Sequence, residues 1–198
     1  EFPLGDPQTR DVLAWMAGLP LFLEESGFRA VHACWDEVTI GRLRELTEDG
    51  VLSEKLLLDA ASPGSGNELA ELVERTTKGP ECTLPPGFSI SDKEGTVRRE
   101  VRLQWWNANA RTWRGIAISV PDLEELPDAE LPKDVQTQTY PVDGKPVFFG
   151  HYWLTGKPEL QAKNALCLDY SAGTDGPLVT YTGSLEDCGI ALGQVVVH

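Results

Sequence analysis

The chain has 198 residues, 41% hydrophobic and 24% charged, the balance of a soluble globular protein large enough for one real core. Its 31 acidic against 17 basic residues leave a formal charge of −14, which argues against a nucleic-acid backbone or an anionic membrane as partner. A phosphate-bearing substrate gains nothing from that field, so a site for one needs local positive charge from a metal or a few arginines.

No run approaches the roughly 20 apolar residues of a membrane span, and the N-terminus has no basic-then-apolar signal pattern. Cys34, Cys82, Cys167 and Cys188 lie far apart without a Cys-x-x-Cys, which argues against a zinc knuckle and for reduced thiols in a cytoplasmic protein. The opening Glu1-Phe2-Pro3 has no initiator methionine, so a processed chain or a fragment is expected.

In chain order, "TRDVLAWMAGLP" places Val12, Trp15, Met16 and Leu19 at helical spacing before Pro20. "FRAVHACW" reads as a short buried strand, Phe28 to Ala33, with His32 near its end. "DEVTIGRLRELTEDG" is a helix capped by Asp36, striped by Ile40, Leu43 and either Leu46 or Thr47, and ended by Gly50. Two more helices, "SEKLLLDAA" and "NELAELVERTTKG", take Ser53 and Asn67 as caps and are separated by the turn "SPGSG".

From Lys78 the character changes to β. "KGPECTLPPG" reads as a proline-rich connection. "FSISDKEGTVRREVRLQWW" turns at Asp92–Gly95 and then alternates apolar Val97, Val101, Leu103 and Trp105 with polar Arg98, Glu100, Arg102 and Gln104. Arg99 breaks that register and marks a bulge or an inward arginine. "TWRGIAISV" supplies a further strand, and "PDLEELPDAELPKD" reads as a solvated acidic loop. "KPVFFGH", "ALCLDY" and "PLVTYT" are strands, the last two joined by the turn "SAGTDG". No internal repeat or second domain is visible, so residues 1–198 are expected to form a single domain.

"RAVHACW" and "VFFGHYW" share one design, an apolar strand delivering a histidine at its carboxyl end, where ligands gather in α/β sheets. His32 and His151 at neighbouring strand ends would converge on one metal at roughly 2.0–2.1 Å each. The alternative is two separate structural histidines, each hydrogen-bonded by itself.

The wording of these motifs goes further. "VHACWD", followed by "PVFFGHYWLTG" and "NALCLDYSAGTDGPLVTY", resembles the bacterial calcineurin-like metallophosphoesterases, in their serine/threonine-phosphatase and diadenosine-tetraphosphatase branch. Residues 10–182 carry the resemblance; residues 183–198 do not match it. In that family two ions flank a bridging water or hydroxide, and one ion is held by an aspartate, an asparagine and two histidines. The resemblance implies His32 and His151 as those two histidines, with Mn²⁺, Zn²⁺ or Fe²⁺ as the divalent metal. The family's Gly-Asp-x-His-Gly, Gly-Asp-x-x-Asp-Arg-Gly and Gly-Asn-His-Glu motifs do not occur here, so the chain looks like the C-terminal half of the pattern.

The family also grips phosphate with arginines, whose planar fork matches its oxygens. Of Arg98, Arg99, Arg102 and Arg114, the out-of-register Arg99 and Arg114 after Trp113 are favoured for that role, against a bland reading of each as a solvated strand residue. Asp36 and Asp169 are candidates to orient an imidazole from behind, in competition with cap and turn roles. Trp105, Trp106 and Trp153 either pack the core or wall a cleft.

The implied architecture is α/β, the C-terminal portion of a calcineurin-like α/β/β/α sandwich, with a helical first third and then mostly antiparallel strands. A half-sandwich exposes a sheet face and edge, so self-association or a missing N-terminal partner segment is expected. The implied activity is metal-dependent hydrolysis of a small-molecule or phosphoprotein phosphate ester. Two other functions stay open: a non-catalytic binding or structural module, and a metal-independent esterase. The latter finds no Gly-x-Ser-x-Gly elbow at Ser65 or Ser171.

Overall fold

Each of the first three long helices begins at a polar side chain that satisfies a free N–H of the first turn. The computed structural model describes residues 3, 5–62, 66–92, 95–136, 138–184 and 189–198. Asp6 accepts the Thr9 N–H at 3.0 Å and opens α1 (Pro7–Ala17). The hairpin of β1 (Phe22–Glu24) and β2 (Arg29–Val31) follows. Asp36 accepts the Thr39 N–H at 2.9 Å to open α2 (Glu37–Leu46), and Ser53 opens α3 (Glu54–Ala60). Asn67 caps α4 (Glu68–Lys78) at 3.2 Å. The Pro63–Ser65 part of the expected turn lies outside the described residues.

Two expectations change here. The α2 helix stops at Leu46, where extended Thr47 returns its hydroxyl to the Leu43 carbonyl at 2.7 Å; Gly50, at φ 77°, turns the chain afterwards. The apolar stripe of α1 covers nothing, since the helix buries none of its residues and Trp15 is 65% exposed.

The next strands are β3 (Glu81–Thr83), β4 (Ile90–Ser91), β5 (Val97–Arg98) and β6 (Glu100–Leu103). After them come α5 (Trp113–Ile116), β7 (Ala117–Ile118), α6 (Lys133–Gln136), β8 (Val147–Phe149), β9 (Ala165–Cys167), β10 (Val179–Tyr181) and β11 (Val195–Val197). The main sheet has the order β1-β2-β8-β9. β2, β8 and β9 run parallel, with Ala30 opposite Phe148 and Phe149 opposite Cys167. The expected antiparallel character therefore fails for β8 and β9. Their near-continuous apolar sequence is that of parallel strands buried on both faces, and Val147, Ala165, Leu166 and Cys167 are all fully buried. Val31, Val147, Phe149 and Cys167 pack with Ile40 and Leu43 of α2 and Leu69 of α4 in the first core.

A second core gathers under the antiparallel sheet β3-β6-β7, from Leu84, Val101, Leu103, Trp113, Ile116 and Leu126. Several loops of the sequence reading acquire structure here. "KGPECTLPPG" contains β3. "TWRGIAISV" opens with one helical turn capped by the Thr112 hydroxyl before β7 begins. The acidic "PDLEELPDAELPKD" is pinned inward by buried Leu126 and Leu131. The break at Arg99 splits the expected long strand: β5 pairs with β4 and β6 with β3, leaving Val97 67% exposed.

Trp105 and Trp106 join the two cores. They leave β6, yet their rings pack edge-on or tilted against Phe149 and Tyr152 of the first core, with centroids 4.8–4.9 Å apart. Gly79 makes this fit possible. It sits at φ 84°, and a Cβ there would lie 2.3 Å from the Tyr152 hydroxyl. The C-terminal residues outside the family resemblance supply β11, which pairs antiparallel with β10. The class is thus α/β, built from several small sheets.

Candidate metal centre and adjoining cleft

Three parallel neighbours end in polar residues. His32 follows β2 directly, His151 follows β8 after Gly150, and Asp169 follows β9 after Leu168. The sheet's hydrogen bonding continues to this edge, with the Gly150 N–H donating to the His32 carbonyl and the Leu168 N–H to the Phe149 carbonyl, both at 2.8 Å. Gly150 permits the close approach, because a Cβ there would lie 3.3 Å from the Asp169 Cβ. The sequence thus places the two histidines at the carboxyl edge of one parallel sheet, on adjacent strands.

The two imidazoles are neighbours. Their ring centroids are 5.3 Å apart with planes at 60°. Two imidazoles on one tetrahedral ion at ~2.0–2.1 Å per Zn–N bond have centroids about 5 Å apart, so the observed spacing fits a shared ion. The Nε2 atom of His151 is buried and has no hydrogen-bond partner among the described residues. Burial lowers the pKa of His151, helped by the nearby charges of Arg102 and His32 and opposed by Asp169 and Glu81. The neutral ring that results is the form that binds a metal.

Backbone strain collects at the same edge. His151, Trp153 and Ser171 have φ of 75°, 49° and 65°, a region costing side-chain-bearing residues about 1–2 kcal/mol each. The carboxylate of Asp169 lies between these turns, accepting the Trp153 N–H at 3.3 Å and the Ser171 N–H at 3.0 Å. It makes no hydrogen bond to either imidazole. Asp36 is placed differently: it caps α2 and pairs with Arg75 at 2.8 Å, without touching a histidine. Burial pushes its carboxyl up, but the Thr39 N–H and the Arg75 guanidinium reverse this and hold it below the ordinary carboxylate range.

A cleft of about 550 Å³ opens beside His151, between the two cores. Tyr152, Trp153, Arg98, Glu100 and Arg102 are among its lining residues. The last three are the polar face of the alternation that runs through β5 and β6. Each arginine engages a carboxylate through Nε, Arg98 with Asp92 at 3.0 Å and Arg102 with Glu81 at 3.2 Å, and the Nη groups of both have no protein partner among the described residues. Arg99 and Arg114, the arginines favoured from sequence, are not part of the lining. Arg99 is exposed between β5 and β6, its carbonyl taken by the Leu84 N–H at 2.8 Å. Arg114 belongs to α5 and pairs with Glu124 at 3.0 Å. Arg98 and Arg102, two residues either side of Glu100, share one face of that alternation, and Arg99 falls off it. Trp105 and Trp106 pack in the core, and Trp153, 58% exposed, walls the cleft.

Comparison with protein-family models, curated proteins and solved structures finds no match. Among the described residues no group of three or more His, Cys, Asp or Glu is placed to hold an ion. No helix of the described residues is long and apolar enough to cross a membrane. Cys34, Cys82 and Cys167 are free thiols, and burial raises all three; Cys188 lies outside the described residues.

Proposed function

We propose that this chain is the histidine-bearing part of a calcineurin-like metallophosphoesterase that hydrolyses phosphate esters, a small molecule or a phosphoprotein, in the cytoplasm. The observation that carries the reading is the approach of the His32 and His151 ring centroids to 5.3 Å, with one buried ring nitrogen that has no partner among the described residues. The motif resemblance supports the same pair. On this reading the chain contributes two ligands, and the rest come from a segment or partner beyond this sequence. A divalent ion held there, Mn²⁺, Zn²⁺ or Fe²⁺, supplies Lewis acidity and brings the pKa of water towards ~7.

The protein's own groups complete the division of labour. His32 and His151 would hold the ion through their ring nitrogens. Arg98 and Arg102 turn their free Nη groups to the phosphate oxygens and stabilise the charge that grows on them in the transition state. Trp153 and Tyr152 wall the cleft and exclude water from one side of the ester. The −14 charge of the chain makes these two local guanidiniums necessary for an anionic substrate.

Hydrolysis of p-nitrophenyl phosphate, measured after chelation and again after adding Mn²⁺ or Zn²⁺, tests this. The expected result is loss of turnover on chelation, recovery with metal, and at least a ~100-fold fall in kcat for His32→Ala or His151→Ala. Turnover indifferent to chelator overturns the reading, and metal binding without turnover makes the chain a non-catalytic relative.

A further inference from the structure

We infer that Asp169 is the positioning residue of this site, fixing His151 beside His32 through the main chain and not through the imidazole; the inference rests on the histidine pair proposed above. Along β8, residues 147, 149 and 151 would share one face, and Val147 and Phe149 of that face are in the first core. A strand simply continued would therefore drive the His151 ring towards apolar packing. The left-handed backbone of His151 breaks the alternation, and Trp153 repeats the departure two residues later. Such a double turn of non-glycine residues persists only when something outside it holds it.

Asp169 is placed to do so. Extending the register of Phe149 with Cys167 by two residues sets Asp169 opposite His151. Its Oδ2 accepts the Trp153 N–H at 3.3 Å, its carbonyl accepts the Leu154 N–H at 3.0 Å, and its Oδ1 accepts the Ser171 N–H at 3.0 Å. The hydroxyl of Ser171 then donates to the Leu154 carbonyl at 3.4 Å, closing the link between the two turns. One short side chain with two acceptor oxygens thus clamps both left-handed turns behind the imidazole. Asparagine keeps the shape but offers one acceptor, and an amide N–H facing a backbone N–H is repulsive.

The test compares Asp169→Asn and Asp169→Ala with the wild type and with Asn67→Ala, a control that removes the distant α4 cap. In metal-free protein, imidazole NMR should show a ring-to-ring contact between His32 and His151 in the wild type. Both Asp169 variants should lose it and broaden or split the His151 signals, while His198 is unmoved and Asn67→Ala leaves all three histidines as they were. Zn²⁺ affinity should fall ~10–100-fold in Asp169→Ala and by less in Asp169→Asn. If Asp169→Ala does not fold, the isosteric Asp169→Asn decides. An unchanged His151 signal and ring contact in the folded variants overturn the inference. A wild type that shows the ring contact but takes up no Zn²⁺ sinks the phosphoesterase reading and leaves the role of Asp169 to be judged by the NMR arm.

Discussion

The Nε2 atom of His151 is buried without a partner among the described residues, the residue sits in a left-handed backbone, and burial lowers the ring's pKa. That has a consequence for stability. The folded pKa lies below the ordinary 6.5, so the unfolded chain takes up this proton first as pH falls. Metal-free protein should lose stability as pH drops from just above 6.5 to the lowered folded value, and urea melts of His151→Gln should lack this component. Asp36 acts in a separate window. Its folded pKa is depressed below 3.8, so its contribution is complete above that value and is lost as pH falls through the folded one. The histidine pair was legible in the sequence because each ends an apolar run, one of them after a glycine. The cleft arginines were legible only as a face: alternation groups Arg98 and Arg102 with Glu100, but that this face lines a cleft beside His151 depends on packing between segments distant in sequence.

Caps and close approaches decide how well the helices and strands hold this edge in place. Asp36→Ala removes the α2 cap and the Arg75 ion pair, and denaturant melts should show a loss of about 1–2 kcal/mol. Gly79→Ala should be worse, about 2–4 kcal/mol, because the new Cβ meets the Tyr152 hydroxyl at 2.3 Å while φ stays at 84°. Helix starts were readable from Asp36, Ser53 and Asn67, because a side-chain cap is a local interaction. Parallel pairing of β2 with β8 was not, because it joins segments distant in sequence. Nor was β3, whose "ECT" is too short and too polar to show a period and becomes a strand only by pairing with β6.

For the molecule as a whole, two cores meet at Trp105 and Trp106 and leave a cleft between them, while α1 stands apart with Val12, Trp15, Met16 and Leu19 exposed. Exposed apolar helices associate. Light scattering should therefore find mass rising with concentration, and Trp15→Lys with Met16→Lys should suppress the rise without shifting the melt, since neither side chain is buried. The expectation of association came from an absent half of a sandwich; the exposed surface that supports it here is instead a helix whose spacing had suggested a core stripe. The central claim, that two distant imidazoles share one ion, is tested most directly by titrating Zn²⁺ and following the imidazole NMR signals of the three histidines. His32 and His151 should shift together and saturate at one equivalent while His198, bonded to Thr180 at 3.0 Å, stays unmoved. Signals of His32 and His151 that move independently, or not at all, would contradict it.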